Sequence, residues 1–394
     1  MAGLKPLLKD IADAIREKDG SASAIVANDF PERIRAIPTA SKLGTPLDPV
    51  EVYKNTRPAD WLPMPEPQDN EMYLLFHIPD GVSSFLAFTV TCTGNYTVAL
   101  GTVTGGQFVQ KSAVSVASGS KYEAELFAKD YDNLTNDGMK QVMIKISGTN
   151  IFTWEPSGHN KRNLDSVYSW NIIEITCRLP SGTMIKIGND KNLFALQKIR
   201  YFSWFGENLM DCASKMFNNC YSLVAIPQLN TASVTDMSYM FANCYSLVAI
   251  PQLNTASVTN MSYMFNNCKS IVKVQKMNCE KTSNFISMFG NCESLVEIEE
   301  ICIGNMSNIS LSNTFANCAS LAKVRFKAPT EVSWSESLAL NRCCLSRIAL
   351  VELFDSLPTI RYNRDLGISL NPGISELSDD EKAIATNKRW TLKI

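Results

Sequence analysis

The cysteines are the residues of this chain whose number and spacing could indicate disulfides, a metal site or catalysis. The 394 residues include twelve cysteines but only two histidines, His77 and His159. So few histidines nearly exclude histidine metal sites and Ser/His or Cys/His nucleophilic catalysis. A disulfide framework has no reason to be periodic, whereas a structural repeat does. Five cysteines recur every 24 residues, or 26 at the last step, and they are Cys220, Cys244, Cys268, Cys292 and Cys318.

This spacing limits what the thiols can do. If each repeat stacks on the next, neighbouring Cβ atoms point the same way about 5 Å apart, whereas a disulfide needs about 3.8 Å. A metal site needs thiols that converge rather than run parallel. We therefore predict that each repeat cysteine is a small, buried apolar residue. The chain also has no Walker loop, G-x-G-x-x-G run or G-x-S-x-G elbow, so we predict no catalytic site, cofactor or metal.

The repeat is nearly exact in two copies. Residues 219–235 and 243–259 share the same seventeen letters, NCYSLVAIPQLNTASVT. Together with degenerate copies they give about five coils over roughly 205–327. A unit of this size cannot bury its apolar face alone, so the copies must stack into a solenoid. The apolar positions predicted to form its core ladders are Met240, Phe241, Cys244, Leu247, Ile250, Leu253, Val258 and Met261.

The repeats resemble the BspA-type leucine-rich repeats. The pattern N-M-S-x-M-F-x-N-C-x-S-L-x-x-I-P-x-L-N-T-x-x-V-T is matched almost in full by 236–259 and in part by 260–283. The similarity covers about a third of the chain, and the later copies depart from it, with Thr314 standing where Met288 stood. It implies a leucine-rich-repeat solenoid that binds proteins or cell surfaces. The family occurs on bacterial surface adhesins and in proteins of bacteriophages and prophages.

The start of the chain has the pattern of an amphipathic helix that ends at Gly20. Residues 8–37, LKDIADAIREKDGSASAIVANDFPERIRAI, resemble a short helical element near the start of phage tail and other minor structural proteins. The resemblance implies attachment to a virion or self-association, with packing on its own chain as the alternative. The apolar face that would make this contact is Leu4, Leu7, Leu8, Ile11 and Ile15.

The segments around the repeats have their own patterns. A Pro-rich stretch predicts an extended linker, or an arm held down by Trp61 and Leu62. Eight short strand patterns between residues 72 and 188 predict an antiparallel β-sandwich. After the repeats, 340–358 reads as a helix, and Ser378 with Glu381 forms a capping box for another. The end of the chain also resembles the closing cap of phage BspA-type proteins.

These patterns together predict a multidomain α+β protein. It would have an N-terminal helical segment, an antiparallel β-sandwich, and then a short leucine-rich-repeat solenoid with a helical C-terminal cap. The predicted domains are 1–38 (helical attachment segment), 39–70 (Pro-rich linker or arm), 71–195 (β-sandwich), 196–330 (repeats) and 331–394 (C-terminal helical cap).

Composition restricts the partners. The 37 Lys and Arg against 39 Asp and Glu give a formal charge of −2, so no net field attracts nucleic acid or an anionic membrane. No apolar run reaches the roughly 18 residues of a membrane span. The first twenty residues lack the apolar centre of a signal peptide. We expect synthesis in a host cytoplasm, no nucleic-acid partner and no membrane insertion.

The solenoid surface supplies candidate contact residues. Tyrosine rings give a large, rigid contact area at low entropic cost, although shielding of coil edges is the alternative. We also expect Val224 and Ala225 to face outward. The candidate partner-binding residues are Tyr221, Tyr239, Tyr245, Tyr263, Lys269, Lys273, Glu293 and Glu297.

We therefore expect a non-enzymatic bacteriophage virion protein of the tail- or head-fibre type. Its repeats would bind a host surface protein or glycan, and its N-terminal region would bind other virion proteins. Fibres are usually symmetric, so a homo-oligomer is expected, with a trimer favoured. One alternative is a BspA-like adhesin on a bacterial cell surface, which needs an export signal or anchor. The other is a glycan-active virion enzyme, which needs a pair of carboxylates placed by the fold.

Overall fold

The described chain is mostly β, and a β-solenoid of about seven turns makes up its second half. The predicted α+β fold class is therefore wrong. The predicted N-terminal helix, with Leu4, Leu7, Leu8, Ile11 and Ile15, lies outside the described residues, and its role stays a prediction. The computed structural model describes residues 49–156, 171–180, 183–185, 198–205, 210, 213–304, 307–329, 331–334 and 336–394.

Eight strands form one hydrogen-bonded sheet in the first half of the fold. They are β1 (Glu71–Pro79), β2 (Ser83–Thr104), β3 (Gln107–Ala117), β4 (Lys121–Phe127), β5 (Met139–Pro156), β6 (Ile172–Arg178), β7 (Met184–Ile185) and β8 (Tyr201–Trp204). Their order is β3-β2-β5-β1-β6-β8, with β4 beside β2 and β7 beside β5. The predicted antiparallel sandwich is wrong, because the described strands form a single sheet in which β7 and β8 pair in parallel.

Two long strands explain this error. β2 has 22 residues and β5 has 18, whereas the sequence pattern divides each into two shorter strands at turn-forming residues. Gly94 (φ 74°) and Asn150 (φ 46°) do adopt left-handed backbone. They disturb the pairing register locally without ending the strands, and β2 pairs with β5 on both sides of the disturbance. Each long strand therefore serves both halves of one sheet.

The solenoid starts from the last strand of this sheet. Tyr201 bridges Ala225, and Ala225 bridges Ala249, both in parallel, so β8 is also the first rung of the solenoid. The later rungs pair in parallel as well. They are β9 (Lys273–Val274), β10 (Met277–Cys279), β11 (Glu297–Ile303), β12 (Ser307–Ile309), β13 (Lys323–Lys327), β14 (Glu331–Trp334), β15 (Leu338–Ala339), β16 (Thr359–Ile360), β17 (Arg364–Gly367) and β18 (Trp390–Lys393).

The helices of the C-terminal region are part of the solenoid. The predicted capping box of Ser378 and Glu381 is present. However, β16, β17 and β18 continue the parallel ladders around the helices, so the predicted short solenoid with a separate helical cap is wrong. Strands of two to four residues are too short to show an alternating pattern. The helices are α1 (Pro49–Thr56), α2 (Arg347–Ser356) and α3 (Asp379–Thr386), with 3-10 turns at Ala128–Asp130 and Ile374–Glu376.

Stacked side chains fill the solenoid. All eight predicted core positions, from Met240 to Met261, are buried as expected. One phenylalanine per turn stacks on the next with ring centroids 5.4–5.9 Å apart and planes within 9° of parallel. A single hydrophobic cluster runs from Met72 in the sheet to Trp390 in the last rung. The sheet and solenoid therefore share one core. The stacked rings are Phe217, Phe241, Phe265, Phe289 and Phe315.

The repeat cysteines are buried as predicted, but they also act as donors. The Cys244 thiol donates to the Phe217 carbonyl in the preceding turn at 3.1 Å, and Cys268, Cys292 and Cys318 repeat this contact. Burial raises the pKa of the Cys244 thiol well above its ordinary value, so it stays protonated. In the last turn an asparagine takes over the role.

Asn371 is the asparagine that replaces the repeat cysteine. It is buried, and its Nδ2 donates 2.8 Å to the Leu340 carbonyl, three residues before Cys343, as Phe217 is three before Cys220. The residue before each ladder position has a φ near +60°, including Arg342 and Leu370. Each turn can therefore be identified by one ladder residue that follows a residue of positive φ, which gives seven turns. These ladder residues are Cys220, Cys244, Cys268, Cys292, Cys318, Cys343 and Asn371.

Candidate functional site

Four of the predicted contact residues form one continuous stripe, which we call the post-cysteine stripe (Tyr221, Tyr245, Lys269 and Glu293). The Tyr221 and Tyr245 rings stack with centroids 4.9 Å apart and planes 11° from parallel. The Lys269 ammonium lies 5.9 Å from the Tyr245 ring centroid and 3.1 Å from a Glu293 carboxylate oxygen. Each turn thus places its residue against the next, and Tyr245 is 39% exposed.

Tyr239 and Tyr263 form a separate stacked pair. Their centroids are 4.6 Å apart with planes 7° from parallel, and the Lys215 ammonium lies 5.8 Å from the Tyr239 ring. Both tyrosines have φ near +57°, a conformation that bulky residues rarely adopt. Both are half-buried. The Tyr239 ring therefore contacts both Lys215 and Tyr263, and the partner-binding role of the two tyrosines stays a prediction.

The last two predicted contact residues are joined by ion pairs. Lys273 lies 3.2 Å from Glu297 and 3.0 Å from Glu299, and Glu297 also pairs with Lys323 at 2.8 Å. Partial burial opposes the charge of Glu297, but Lys323 and Lys273 together hold its pKa below the ordinary value. These side chains join successive turns to each other. Their partner-binding role stays a prediction, because an external partner would have to compete with these ion pairs.

A groove along the solenoid was missed by the sequence interpretation. It has a volume of about 830 Å³ and is open to solvent. It crosses three consecutive turns at equivalent positions, and Trp204 lies in its wall. The only sequence signal was the recurrence of a Gln-Leu-Asn-Thr run in the repeat. We call it the amide groove, and its lining residues are Trp204, Gln228, Leu229, Asn230, Thr231, Gln252, Leu253, Asn254, Thr255, Ala256, Lys276 and Asn278.

Hydrogen bonds hold the amide side chains of this groove in fixed orientations. The Gln228 Nε2 donates to the Gln252 carbonyl at 2.8 Å, and the Gln252 Nε2 donates to the Lys276 carbonyl at 2.7 Å. The Asn254 Oδ1 accepts from the Ala256 N–H at 3.1 Å, and Asn230 makes the equivalent contact. Gln228, Gln252, Asn230 and Asn254 are all exposed. The groove thus presents an ordered row of amides, which can both donate and accept hydrogen bonds.

Two buried polar atoms in the groove wall have no hydrogen-bond partner within the described part of the chain. They are the Thr255 Oγ1 and the Trp204 Nε1. In the preceding turn, the equivalent Thr231 Oγ1 donates to the Asn254 carbonyl at 2.8 Å. Buried hydroxyl and indole groups normally find partners. This part of the wall therefore keeps hydrogen-bonding capacity that the described residues do not use.

The solenoid surface near α1 is covered, in contrast to the open amide groove. Val224 and Ala225, which we expected to face outward, are buried beside Trp61. Trp61 and Leu62 are themselves buried, and residues Pro49–Thr56 of the predicted linker or arm form helix α1. The arm residues of 49–62 therefore cover the first rungs of this surface.

A buried ion pair fixes this arm to the sheet. The Arg57 Nε donates to Glu174 at 2.9 Å, and the Tyr53 hydroxyl donates to the same carboxylate at 2.8 Å. Burial raises the pKa of Glu174, against the stabilising effect of Arg57. Nearby, burial lowers the pKa of His77 to about 4, so it is neutral at physiological pH. Tyr53, Arg57 and Glu174 are engaged with one another, and His77 contacts Gln141 at 2.9 Å. We assign both groups a structural role.

Neither a metal cluster nor a membrane helix is found in the part of the chain that the structure describes. No group of three or more His, Cys, Asp or Glu residues there could hold a metal ion. No helix there is long and apolar enough to cross a membrane.

Comparison with known proteins gives one match. The family described as "Mycoplasma protein of unknown function, DUF285" matches residues 207–325. That span covers the first turns of the solenoid and is less than a third of the chain. No curated protein and no solved structure matches. The chain is thus a repeat-containing β-solenoid protein whose repeat region is similar to this family.

Proposed function

We propose that this chain is a non-enzymatic bacteriophage virion protein of the tail- or head-fibre type that binds a host surface glycan or protein through the amide groove. One observation carries the proposal. The groove repeats the same side chains over two identical turns and reaches Lys276 and Asn278 on the third. A ligand with a repeating structure, such as a polysaccharide, would meet equivalent groups at each step.

The chemistry of the groove favours a glycan and favours binding over catalysis. Amides donate to and accept from hydroxyl groups, and four of them, on Gln228, Asn230, Gln252 and Asn254, are exposed in the groove. The volume of about 830 Å³ is in the usual range of ligand sites. Among the described residues that line the groove, Lys276 alone is ionisable. General acid–base catalysis of glycan cleavage needs two carboxyl groups, so the groove argues against the virion-enzyme alternative.

The virion part of the proposal rests on sequence resemblance. Residues 8–37 and the end of the chain resemble elements of phage structural proteins, and BspA-type repeats occur in phages and prophages. The N-terminal region would bind other virion proteins, and the solenoid would project toward the host. The match to a family described from Mycoplasma is to a bacterial family, and a bacterial source is what the alternative of a BspA-like adhesin on a bacterial cell surface requires.

A density gradient separates these two possibilities. Particles and cell envelopes from a producing culture are resolved on the gradient, and the chain is followed by mass spectrometry. We expect it to sediment with particles. Recovery with envelopes alone would overturn the virion assignment and leave the adhesin alternative, while the groove proposal would still be tested by ligand binding.

A further inference from the structure

We infer that the free edge of β3 is the contact through which two copies of this chain associate. β3 is the terminal strand of the sheet and pairs with β2 alone among the described strands. A terminal strand presents a row of unpaired N–H and C=O groups to its surroundings, which is a template for another strand. The inference is independent of the amide groove.

β3 is open on both faces as well as at its edge. Nine of its eleven residues are exposed, and only Phe108 and Val116 are half-buried. Val109 is 44% exposed and Val114 is 46% exposed. Exposed valines on a long edge strand are an association hazard in a monomer, so we expect this surface to be covered in the assembled protein.

The neighbouring edge strand β4 shows how the same sheet protects an edge. β4 lies on the same side of β2 and carries Lys121, Glu123 and Glu125 within seven residues. β3 has no proline and a single charge, Lys111. That ammonium turns aside, donating 3.0 Å to the Asp130 carbonyl and lying 5.3 Å from the Tyr131 ring. Charges are one common protection of edge strands, and the part of β3 beyond Lys111 has none.

The regular part of β3 is the segment 112–117, SAVSVA, beyond a register shift opposite Leu100 and Gly101. We infer that the same segment of a second copy of the chain pairs with this edge. Two such segments pair antiparallel about a two-fold axis near Val114, with Ser112 of each copy facing Val116 of the other. No charge is brought opposite a like charge, and valine is favourable in cross-strand pairs. A two-fold contact of this kind gives a dimer, in place of the expected trimer.

The mass of the full-length chain in solution tests this inference. Light scattering after size exclusion should give twice the chain mass of 43.7 kDa at micromolar concentration. Val114→Lys places two lysines across the axis and should raise the dissociation constant on the order of tenfold or more. The matched control is Val82→Lys, because Val82 is 51% exposed and lies outside β3; it should stay dimeric.

Three outcomes would overturn the inference. They are a wild-type monomer at every concentration, a wild-type trimer, and a Val114→Lys variant whose dissociation constant equals that of the wild type. Far-UV circular dichroism and the melting temperature check that the variant is folded. Because Val114 is exposed, both should match the wild type. If the variant is unfolded, Ala113→Lys, at the next exposed position of the same edge, replaces it and must raise the dissociation constant of the dimer in the same way.

Discussion

The second turn of the solenoid and the two that follow are built to the same plan but joined in different ways. Residues 237–260 contain no charged side chain, and their surface contacts are like on like, with Tyr221 on Tyr245 and Asn219 on Asn243. The next turns are joined by opposite charges, with lysines of 261–284 against glutamates of 285–310. The core ladder is common to both regions.

This difference distinguishes the contacts that hold successive turns together from the groove that we propose binds a ligand. In the charged turns, the varied surface residues form ion pairs with the neighbouring turn. In the uncharged turn 237–260, core ladders and amide bridges hold the stack, and the amide groove stays open. The groove reaches only as far as Lys276 and Asn278, where the charged turns begin. Under the proposed function, a ligand would bind at the uncharged turn 237–260 and its neighbours in the groove, while the ion pairs of the charged turns align the stack.

The largest expected effect is loss of a core ring. Phe241→Ala and Phe265→Ala should each lower the free energy of unfolding by about 3–5 kcal/mol, because each leaves a cavity in a continuous stack. The two losses should agree within about 1 kcal/mol, since the core is shared by both regions. Urea unfolding measures both. Tyr362→Ala, at a site 62% exposed, is the control. A markedly smaller loss at Phe265 would mean that the charged turns depend less on the core.

Reversal of one charge should have a smaller effect, confined to the charged turns. Glu297→Lys removes two ion pairs and brings a third lysine beside Lys273 and Lys323. We expect a loss of about 1–2 kcal/mol at low salt, which shrinks as salt is added. Urea unfolding at two salt concentrations measures this. A loss that does not change with salt would contradict the ionic explanation.

Acid should weaken the charged turns by the smallest amount. The pKa of Glu297 is lowered in the folded chain. Its stabilising contribution is therefore full above the unfolded pKa and disappears as pH falls through the folded value. Between about pH 6 and about pH 3, the wild type should lose on the order of 1 kcal/mol more than Glu297→Gln. Equal losses in the two proteins would show that Glu297 does not contribute.

Part of this architecture could be predicted from the sequence. The repeat fixes which side chains point inward, and every predicted core position, such as Leu247 and Val258, is buried. The sandwich could not be corrected from sequence, because Gly94 and Asn150 have turn-forming types and yet lie within continuous strands. The rungs beyond residue 331 are too short for their periodicity to be visible.

The functional surface was harder to predict. Lys273 and Glu297 stand at a repeat position whose residue type varies from copy to copy and is polar, as expected of a partner-contact residue. Their pairing with each other could not be predicted, because it depends on the distance between stacked turns. Gln252 and Asn254 look like ordinary repeat letters. They line the amide groove because three turns are aligned in the folded chain, and this alignment is visible only in the three-dimensional structure.

The most direct test of the account is to fill the groove. Ala256 lines the amide groove, and Ala232 occupies the same repeat position one turn earlier without lining it. Binding of the full-length chain to host cells and to their isolated surface polysaccharide is measured for Ala256→Arg and Ala232→Arg. We expect on the order of tenfold weaker binding for Ala256→Arg and wild-type binding for Ala232→Arg. Equal binding by the two variants would contradict recognition through the groove.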